Sequence, residues 1–343
     1  MPRIAIDGRA IEVPAGTTVL AAARELGIDI PTLCFLEGHA AQTSCMACLV
    51  KVNGGRRLLP ACATVVSEGM SVESETDEVI HARRAAIELL LGDHLGDCIA
   101  PCQAACPARL NIPKIIRQIA AGKAQDAAPA ARACRECGAR CEKVCRRAAK
   151  DHAVSIQLLV RHAAEAGGSP PESRLVPPEK EFSVHIGRVG PDEVSRFMAG
   201  ASAADRVEPS GGFEAGFTAE EAIREAQRCL HCDCRRPNDC RLRTYAALVG
   251  ASPSRYRGER RTFEQQFHAQ NIIYESGKCI ACGLCIEITR KAAEPLGLTF
   301  VGRGFDVRVA VPFGRPLDEA LQKAATECVR ACPTGALAFD TET

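Results

Sequence analysis

Apolar residues near the start of the chain alternate with polar ones, change to a helical spacing, and then alternate again. Ile4–Ile6 and Ile11–Val13 alternate around a glycine, which predicts a β-hairpin. Val19–Leu26 has the spacing of an amphipathic helix and is followed by a glycine. Leu49–Val52 and Arg57–Leu59 flank Asn-Gly-Gly, which is a strong turn signal. The first 77 residues are therefore predicted to form a small α+β unit.

The next segment is predicted to be helical. Residues 78–166 carry the run VIHARRAAIELLLGDH, with apolar positions at helical spacing, and Asn111 precedes Ile-Pro in a typical helix start. Proline and glycine recur every few positions in residues 167–215, which predicts an extended linker. Its apolar residues favour a segment lying on another surface over a disordered one. They are Phe182, Val184, Ile186 and Val189.

Helical spacing returns after the linker. Thr218 and Glu221 form a capping-box pattern at the start of the helix EEAIREAQRCL, in a predicted unit of residues 216–248. Residues 249–343 are predicted to form the last unit. The fold class predicted for the whole chain is α+β and multidomain.

Cysteine is the unusual component of the chain: 20 of 343 residues, in tight groups. The start MPRIAIDGRA lacks a secretion-signal pattern, and no apolar run approaches the ~18 residues of a membrane span, so we expect a cytoplasmic protein. Clustered cytoplasmic thiols are typical of metal ligands rather than disulfides. The net charge of +1 gives no support to nucleic-acid binding.

The first cysteine group has the spacing C-x10-C-x2-C-x13-C. It predicts an iron–sulfur cluster, because widely spaced thiolates converge on one inorganic core only when the fold joins their loops. The order of strand, strand, helix, cysteine loop and hairpin resembles the β-grasp [2Fe-2S] ferredoxin domain that begins the large iron–sulfur subunit of complex I and many hydrogenases. That resemblance implies [2Fe-2S] ligation by Cys34, Cys45, Cys48 and Cys62.

Seven more cysteines lie in the strings DCIAPCQAACPARLNIPKIIRQIAAG and ACRECGARCEKVCRRAAKDHAVSI. With their Cys-Pro and Ile-Pro dipeptides, these strings resemble the N-terminal helical domain of the glutamate synthase small subunit and dihydropyrimidine dehydrogenase. The resemblance implies two [4Fe-4S] clusters whose ligands interleave along the chain. One would be held by Cys98, Cys102 and Cys145. The other would be held by Cys106, Cys134, Cys137 and Cys141.

The first of these two clusters lacks a fourth thiol, because the family's most upstream cysteine has no counterpart here. His94 lies four residues before Cys98. A histidine at this offset ligates a [4Fe-4S] cluster in complex I and [FeFe]-hydrogenases, so the resemblance makes His94 a candidate ligand, which would tend to raise the potential. The alternative is that His94 interacts with the last carbonyls of a helix.

A third group has the spacing C-x2-C-x-C-x5-C. Four thiols within twelve residues can close around one [4Fe-4S] cluster, and a zinc site is the alternative. The candidate ligands are Cys229, Cys232, Cys234 and Cys240.

The last group lies in KCIACGLC and ECVRACPTGAL, which resemble half of a bacterial two-cluster ferredoxin. In such ferredoxins the cysteine before proline ligates the cluster of the other motif. The resemblance implies one [4Fe-4S] cluster held by Cys279, Cys282, Cys285 and Cys332. The second site of the ferredoxin pattern is degenerate, with Thr289, Gln322 and Ala325 at cysteine positions. Cys328 is predicted to be a small buried hydrophobic residue.

The sequence as a whole predicts one [2Fe-2S] and about four [4Fe-4S] clusters, with no catalytic residue. No Gly-rich strand–helix motif is present for flavin or NAD. We therefore predict an electron-relay subunit of an oxidoreductase complex that is linked to NAD(P)H, hydrogen or formate. Flavin-based electron-bifurcating complexes are among the candidates. Its partners would be a flavoprotein that oxidises NAD(P)H, or the catalytic subunit of a hydrogenase or formate dehydrogenase. The alternatives are a stand-alone ferredoxin-like carrier and an iron–sulfur redox sensor.

Overall fold

The computed structural model describes residues 1–134, 137–167, 189–198, 201, 203–236, 239–256, 258–259 and 263–340. All twenty cysteines lie within these ranges, and none forms a disulfide there. Of the predicted surface segment, Phe182, Val184 and Ile186 fall outside the described residues, whereas Val189 is described and buried. None of the described helices is both long and apolar enough to span a membrane.

The chain forms two compact units, and the second interrupts the first along the sequence. The first is Met1–Leu95 with Asn238–Ala338, and the second is Gly96–Pro237 with Phe339–Thr343. The strands of the described residues are β1 (Arg3–Ile6), β2 (Arg9–Glu12), β3 (Leu49–Val52), β4 (Leu58–Pro60), β5 (Ser71–Glu73), β6 (Gln265–His268), β7 (Ile272–Glu275), β8 (Thr299–Val301), β9 (Arg308–Ala310) and β10 (Leu337–Phe339). The helices are α1 (Val19–Glu25), α2 (Asp77–Gly92), α3 (Pro101–Ala105), α4 (Ile112–Ala120), α5 (Ala124–Ala131), α6 (Arg140–Lys143), α7 (Ile156–Glu165), α8 (Val194–Phe197), α9 (Gly212–Ala215), α10 (Ala219–Ala226), α11 (Arg241–Leu248), α12 (Leu284–Lys291), α13 (Leu317–Ala320) and α14 (Ala325–Ala331).

A mixed sheet in the order β2-β1-β5-β3-β4 organises the start of the first unit. β1 pairs antiparallel with β2 and parallel with β5, and β3 pairs antiparallel with β4 and β5. Helix α1 begins at Thr18, whose hydroxyl accepts the Ala21 N–H at 3.2 Å, and buries Val19 and Leu20. Both predicted hairpins and the helix are confirmed. β5 was not predicted, because three residues with one apolar position carry no periodic signal.

Helix α2 connects this sheet to the C-terminal part of the same unit. It packs against β3 and α11. Arg83 Nε donates to the Leu49 carbonyl at 2.9 Å, and Arg84 Nε donates to the Val249 carbonyl at 2.6 Å. Further along, β7 lies between β6 and β10 with every residue buried, β8 pairs antiparallel with β9, and α12 packs against α14.

The second unit has an aliphatic helical core. Helix α4 begins where predicted, since Asn111 Oδ1 accepts the Lys114 N–H at 3.1 Å. It packs against α5, α7 and α10 through isoleucine, leucine, valine and alanine, and Phe217 is the one aromatic residue of the described core cluster. Helix α10 begins with the predicted capping box, in which Thr218 and Glu221 exchange hydrogen bonds of 3.3 and 2.9 Å.

A buried carboxylate joins three segments of the second unit. Glu225, at 0% exposure, accepts the Ser155 N–H at 2.8 Å and the Val207 N–H at 2.9 Å. It also pairs with Arg228 Nη1 at 2.7 Å, and Arg228 Nη2 lies 3.0 Å from Asp151 Oδ1. Because both charges are buried, removing one partner leaves the other uncompensated.

We expect Glu225→Ala to lower the free energy of unfolding of the second unit by about 3–5 kcal/mol, the usual cost of breaking a buried ion pair. The measurement is urea unfolding of cluster-loaded protein followed by far-UV circular dichroism. Glu220→Ala, an exposed change in the first turn of the same helix, should cost about 0.5 kcal/mol and serves as the control. Equal losses in the two variants would show that Glu225 does not join the segments.

Candidate metal centres

The four thiols of the first cysteine group lie together in the first unit, and we call them the N-terminal site. They are Cys34, Cys45, Cys48 and Cys62, all at 3% exposure or less. The Cys45 N–H donates to Cys34 Sγ at 3.5 Å, and the Ala47 N–H donates to Cys45 Sγ at 3.5 Å. A hydrogen bond from the Cys45 thiol lowers the pKa of Cys34 to about 5, and one from Cys62 lowers the pKa of Cys48 to about 7. The same hydrogen bonds raise the pKa of Cys45 and Cys62, so near neutral pH two of the four sulfurs ionise readily and the other two need a cation beside them.

The last cysteine group also converges within the first unit, at what we call the C-terminal site. Its thiols line one cavity and are Cys279, Cys282, Cys285 and Cys332. The Ala281 N–H donates to Cys279 Sγ at 3.4 Å, and the Leu337 N–H donates to Cys332 Sγ at 3.5 Å. Cys328 is fully buried beside this cavity, and its Sγ donates to the Cys285 carbonyl at 3.7 Å, which agrees with its predicted packing role.

The N-terminal and C-terminal sites touch each other. Ser44, next to a predicted ligand, has its Oγ 3.4 Å from the Cys282 carbonyl oxygen and donates to it. Lys291 Nζ donates to the Gly38 carbonyl at 2.9 Å, and His39 Nε2 lies 3.7 Å from Glu327 Oε1. The sequence did not predict these contacts, because they join segments that lie more than 200 residues apart along the chain.

Four thiols of the second unit line an apolar cavity, and we call them the apolar site. They are Cys106, Cys134, Cys137 and Cys141, the grouping that the resemblance implied. The wall is completed by residues such as Leu110, Ile112 and Val160. Burial raises the pKa of Cys141 to about 12. At neutral pH this thiol would stay protonated unless a cation lay beside it, which fits the needs of an iron–sulfur core.

The other cavity of the second unit differs from the sequence grouping. It is lined by four thiols that we call the arginine-lined site: Cys102, Cys145, Cys229 and Cys232. Cys229 and Cys232 were predicted to share a cluster with Cys234 and Cys240, but the packing of α10 against α4 and α7 brings them to Cys102 and Cys145 instead. They stand in place of Cys98 and of the one thiol that this cluster was predicted to lack. Burial raises the pKa of Cys229 to about 12.

Four predicted ligands remain outside the four sites. Cys98 and Cys234 lie together in the second unit, where the Cys234 N–H donates to the Cys98 carbonyl at 3.4 Å. His94 and Cys240 belong to the first unit. Ligation by these four residues stays a prediction.

The same backbone geometry recurs at the close-spaced cysteine pairs. The His231 N–H donates to Cys229 Sγ at 3.4 Å, as the Ala281 N–H does to Cys279 Sγ. His231 and Ala281 both have left-handed backbones, with φ of 45° and 51°, as does Met46 at 51° in the N-terminal site. Such conformations cost about 1–3 kcal/mol for non-glycine residues and cluster at functional sites. Here they turn an amide toward sulfur, which stabilises a thiolate.

The spacing of the thiols suits a multi-atom core. Within the described ranges, no three His, Cys, Asp or Glu side chains are arranged to hold a single metal ion. The thiols of the C-terminal, apolar and arginine-lined sites instead line cavities, as ligands of an iron–sulfur cluster do. The predicted zinc alternative required one compact group over Cys229–Cys240, and that group is divided in the described structure.

Comparison with known proteins supports a 2Fe-2S domain around the first of these sites. Residues 2–77 match the family model described as a 2Fe-2S iron-sulfur cluster binding domain. The chain begins with a 2Fe-2S domain. The five-stranded sheet and the four thiols of the N-terminal site lie within the matched residues.

Relatives cover a limited part of the chain. It is 47% identical over 104 residues to the NADP-reducing hydrogenase subunit HndD of Solidesulfovibrio fructosivorans, over 29% of this chain and 18% of that protein. It is 35% identical over 98 residues to the NADH-ubiquinone oxidoreductase 75 kDa subunit of Reclinomonas americana, over 29% and 14%. The gamma subunit of the NAD-reducing hydrogenase HoxS of Cupriavidus necator is 36% identical over 96 residues, over 28% and 40%. The chain thus spans less than half the length of these relatives.

One solved structure resembles nearly the whole chain. A chain of an NAD+-reducing [NiFe]-hydrogenase in the H2-reduced state aligns with a TM-score of 0.51 and 18% identity, over 98% of this chain and 87% of that one. At this identity the likeness shows a shared fold alone.

Substitution of single cysteines tests whether Cys145 and Cys229 share one cluster. We expect Cys145→Ser and Cys229→Ser to remove the same [4Fe-4S] signal from the electron paramagnetic resonance (EPR) spectrum of the reduced protein, because both thiols line one cavity. Cys141→Ser should remove a different signal, and Cys328→Ala should leave every signal in place. Loss of different signals in Cys145→Ser and Cys229→Ser would restore the sequence grouping.

Proposed function

We propose that this chain is an electron-relay subunit of an oxidoreductase complex, with one [2Fe-2S] and about four [4Fe-4S] clusters. The observation that carries the proposal is the contact between the N-terminal and C-terminal sites through Ser44 and the Cys282 carbonyl. Two redox centres held this close can exchange electrons without a mobile carrier. When bound, iron–sulfur clusters supply one-electron chemistry over a wide range of potentials.

Each of the four assembled sites would provide the ligands of one cluster. The N-terminal site would hold the [2Fe-2S] cluster, and the C-terminal, apolar and arginine-lined sites would each hold a [4Fe-4S] cluster. His94, Cys98, Cys234 and Cys240 lie outside these four sites, and the fourth [4Fe-4S] cluster of the sequence analysis stays a prediction.

The protein's own part in electron relay is to bind, insulate and space the clusters. Amide N–H groups that point at sulfur stabilise the thiolate charge. The Ser44 and Lys291 hydrogen bonds hold the N-terminal site against the C-terminal site. This role requires no group that binds or activates a substrate.

The partner follows from the chemistry of the electron donor. NAD(P)H gives up two electrons as hydride, whereas clusters carry single electrons, so a flavin must stand between them. The sequence has no Gly-rich strand–helix phosphate site for flavin or nicotinamide. The matched relatives are subunits of NADP-reducing and NAD-reducing hydrogenases and of an NADH-ubiquinone oxidoreductase, which supports an NAD(P)H-linked flavoprotein as the partner.

Iron content tests the number of clusters. If every proposed site fills, anaerobically purified protein should contain about 18 irons per chain, two for the [2Fe-2S] cluster and four for each [4Fe-4S] cluster. Metal analysis by mass spectrometry gives the count. About 14 irons would fit the four assembled sites alone, and stoichiometric zinc would contradict the assignment of one of them.

Reduction by NADH tests the role in a complex. The cluster-loaded chain should be bleached by dithionite but not by NADH, and NADH should bleach it once a flavoprotein NADH dehydrogenase is added. The same flavoprotein without this chain is the control for absorbance changes of the flavoprotein itself. Bleaching by NADH alone, or stoichiometric flavin in the purified chain, would contradict the relay role.

A further inference from the structure

The two cysteine sites of the second unit have different electrostatic surroundings. Among the described residues, no charged side chain lines the apolar site, and the largest charge effect on Cys141 comes from the Glu142 carboxylate. The arginine-lined site is bordered by Arg146 and Arg147, both buried or nearly so. Ile156 lines both cavities, so the two sites are neighbours within one aliphatic core.

Each arginine forms a salt bridge with an aspartate. Arg146 donates through both terminal nitrogens to Asp97, and Arg147 Nε donates to Asp151 Oδ1 at 2.8 Å. Asp97 and Asp151 do not line the cavity. The arginine of each pair therefore borders the cavity, whereas its carboxylate lies outside the cavity wall.

Other charges near this site are also paired. Arg117 forms a two-bond salt bridge with Asp233 at 2.8 and 3.0 Å, and Arg228 pairs with Glu225 and Asp151. In addition to burial, the Asp233 carboxylate raises the pKa of Cys102 and Cys229, and Arg117 lowers that of Cys229, so these paired charges act in opposite directions. The two arginines at the cavity wall distinguish this site from the apolar one. In a low-dielectric interior, a nearby positive charge favours the state that carries the extra electron.

We propose that the cluster of the arginine-lined site has a higher reduction potential than the cluster of the apolar site, and that Arg146 and Arg147 set this order. An electron that enters the second unit would then rest at the arginine-lined site. The inference rests on the proposed function, since it needs a cluster at each site.

The test is an EPR-monitored redox titration of the full-length, cluster-loaded chain. Cys102→Ser and Cys106→Ser assign the two signals, one from each site. The signal lost in Cys102→Ser should be the one with the higher potential. The reverse order, or equal potentials, would overturn the proposal.

Two variants of opposite sign test the cause. Arg147→Gln removes a positive charge and should lower the reduced-to-oxidised ratio of the arginine-lined cluster at fixed potential about tenfold, or about 59 mV for one electron. Asp151→Asn is nearly isosteric, leaves Arg147 and Arg228 less compensated, and should raise the same potential. Arg147→Lys keeps the charge and should retain most of the potential.

The controls separate a charge effect from damage to the structure. Arg224→Gln changes an exposed arginine on α10 and should shift neither signal. The apolar-site potential should stay constant in every variant. Shifts of the same sign in Arg147→Gln and Asp151→Asn would overturn the proposal while leaving the relay function intact. Absence of both signals from the unmodified chain would instead refute the cluster assignment itself.

Discussion

A buried thiol ionises only when positive charge or hydrogen-bond donors lie beside it, and the architecture of this protein follows from that requirement. Burial raises the pKa of Cys141 and Cys229 to about 12, so these sulfurs would be neutral without a cationic core. The chain supplies the rest of the stabilisation locally, by turning amides at His231 and Ala281 toward sulfur in left-handed backbone conformations. Such strain persists only where the surrounding fold holds it in place.

The framework around the arginine-lined site has its own stabilising interactions. Helix α10 is capped by Thr218 and packs its apolar face against α4 and α7, and Glu225 ties it to the backbone before α7. Arg228, the residue before Cys229, bonds to the Asp151 carboxylate and the His152 carbonyl. Two of the four thiols are thus positioned by ion pairs and core packing that need no metal. Preorganisation of this kind reduces the entropy that cluster binding must overcome.

The parts of the structure that local sequence signals could predict were those with short-range causes. The hairpins around the first 60 residues, the helix start at Asn111 and the capping box at Thr218 depend on neighbours within four residues or on turn chemistry. The grouping of Cys229 with Cys145 depends on how α10 packs, which no local signal records. The sequence gives one indication of it: only three cysteines are available for the predicted cluster around Cys102. His94 is the sequence candidate for that gap, and its ligation stays a prediction, whereas the arginine-lined cavity takes cysteines from more than 80 residues downstream.

The spacing between neighbouring sites is fixed by different forces in the two units. In the second unit, Ile156 forms a wall of both cavities and belongs to the aliphatic core, so the sites can separate only if close-packed side chains move. In the first unit, the contact is polar and joins the loop around Ser44 to residues that include the ends of α12 and α14, through Ser44, Lys291 and the His39–Glu327 pair. Partly exposed polar contacts contribute about 1 kcal/mol each, much less than a packed core. The distance between the N-terminal and C-terminal sites is therefore the more adjustable of the two.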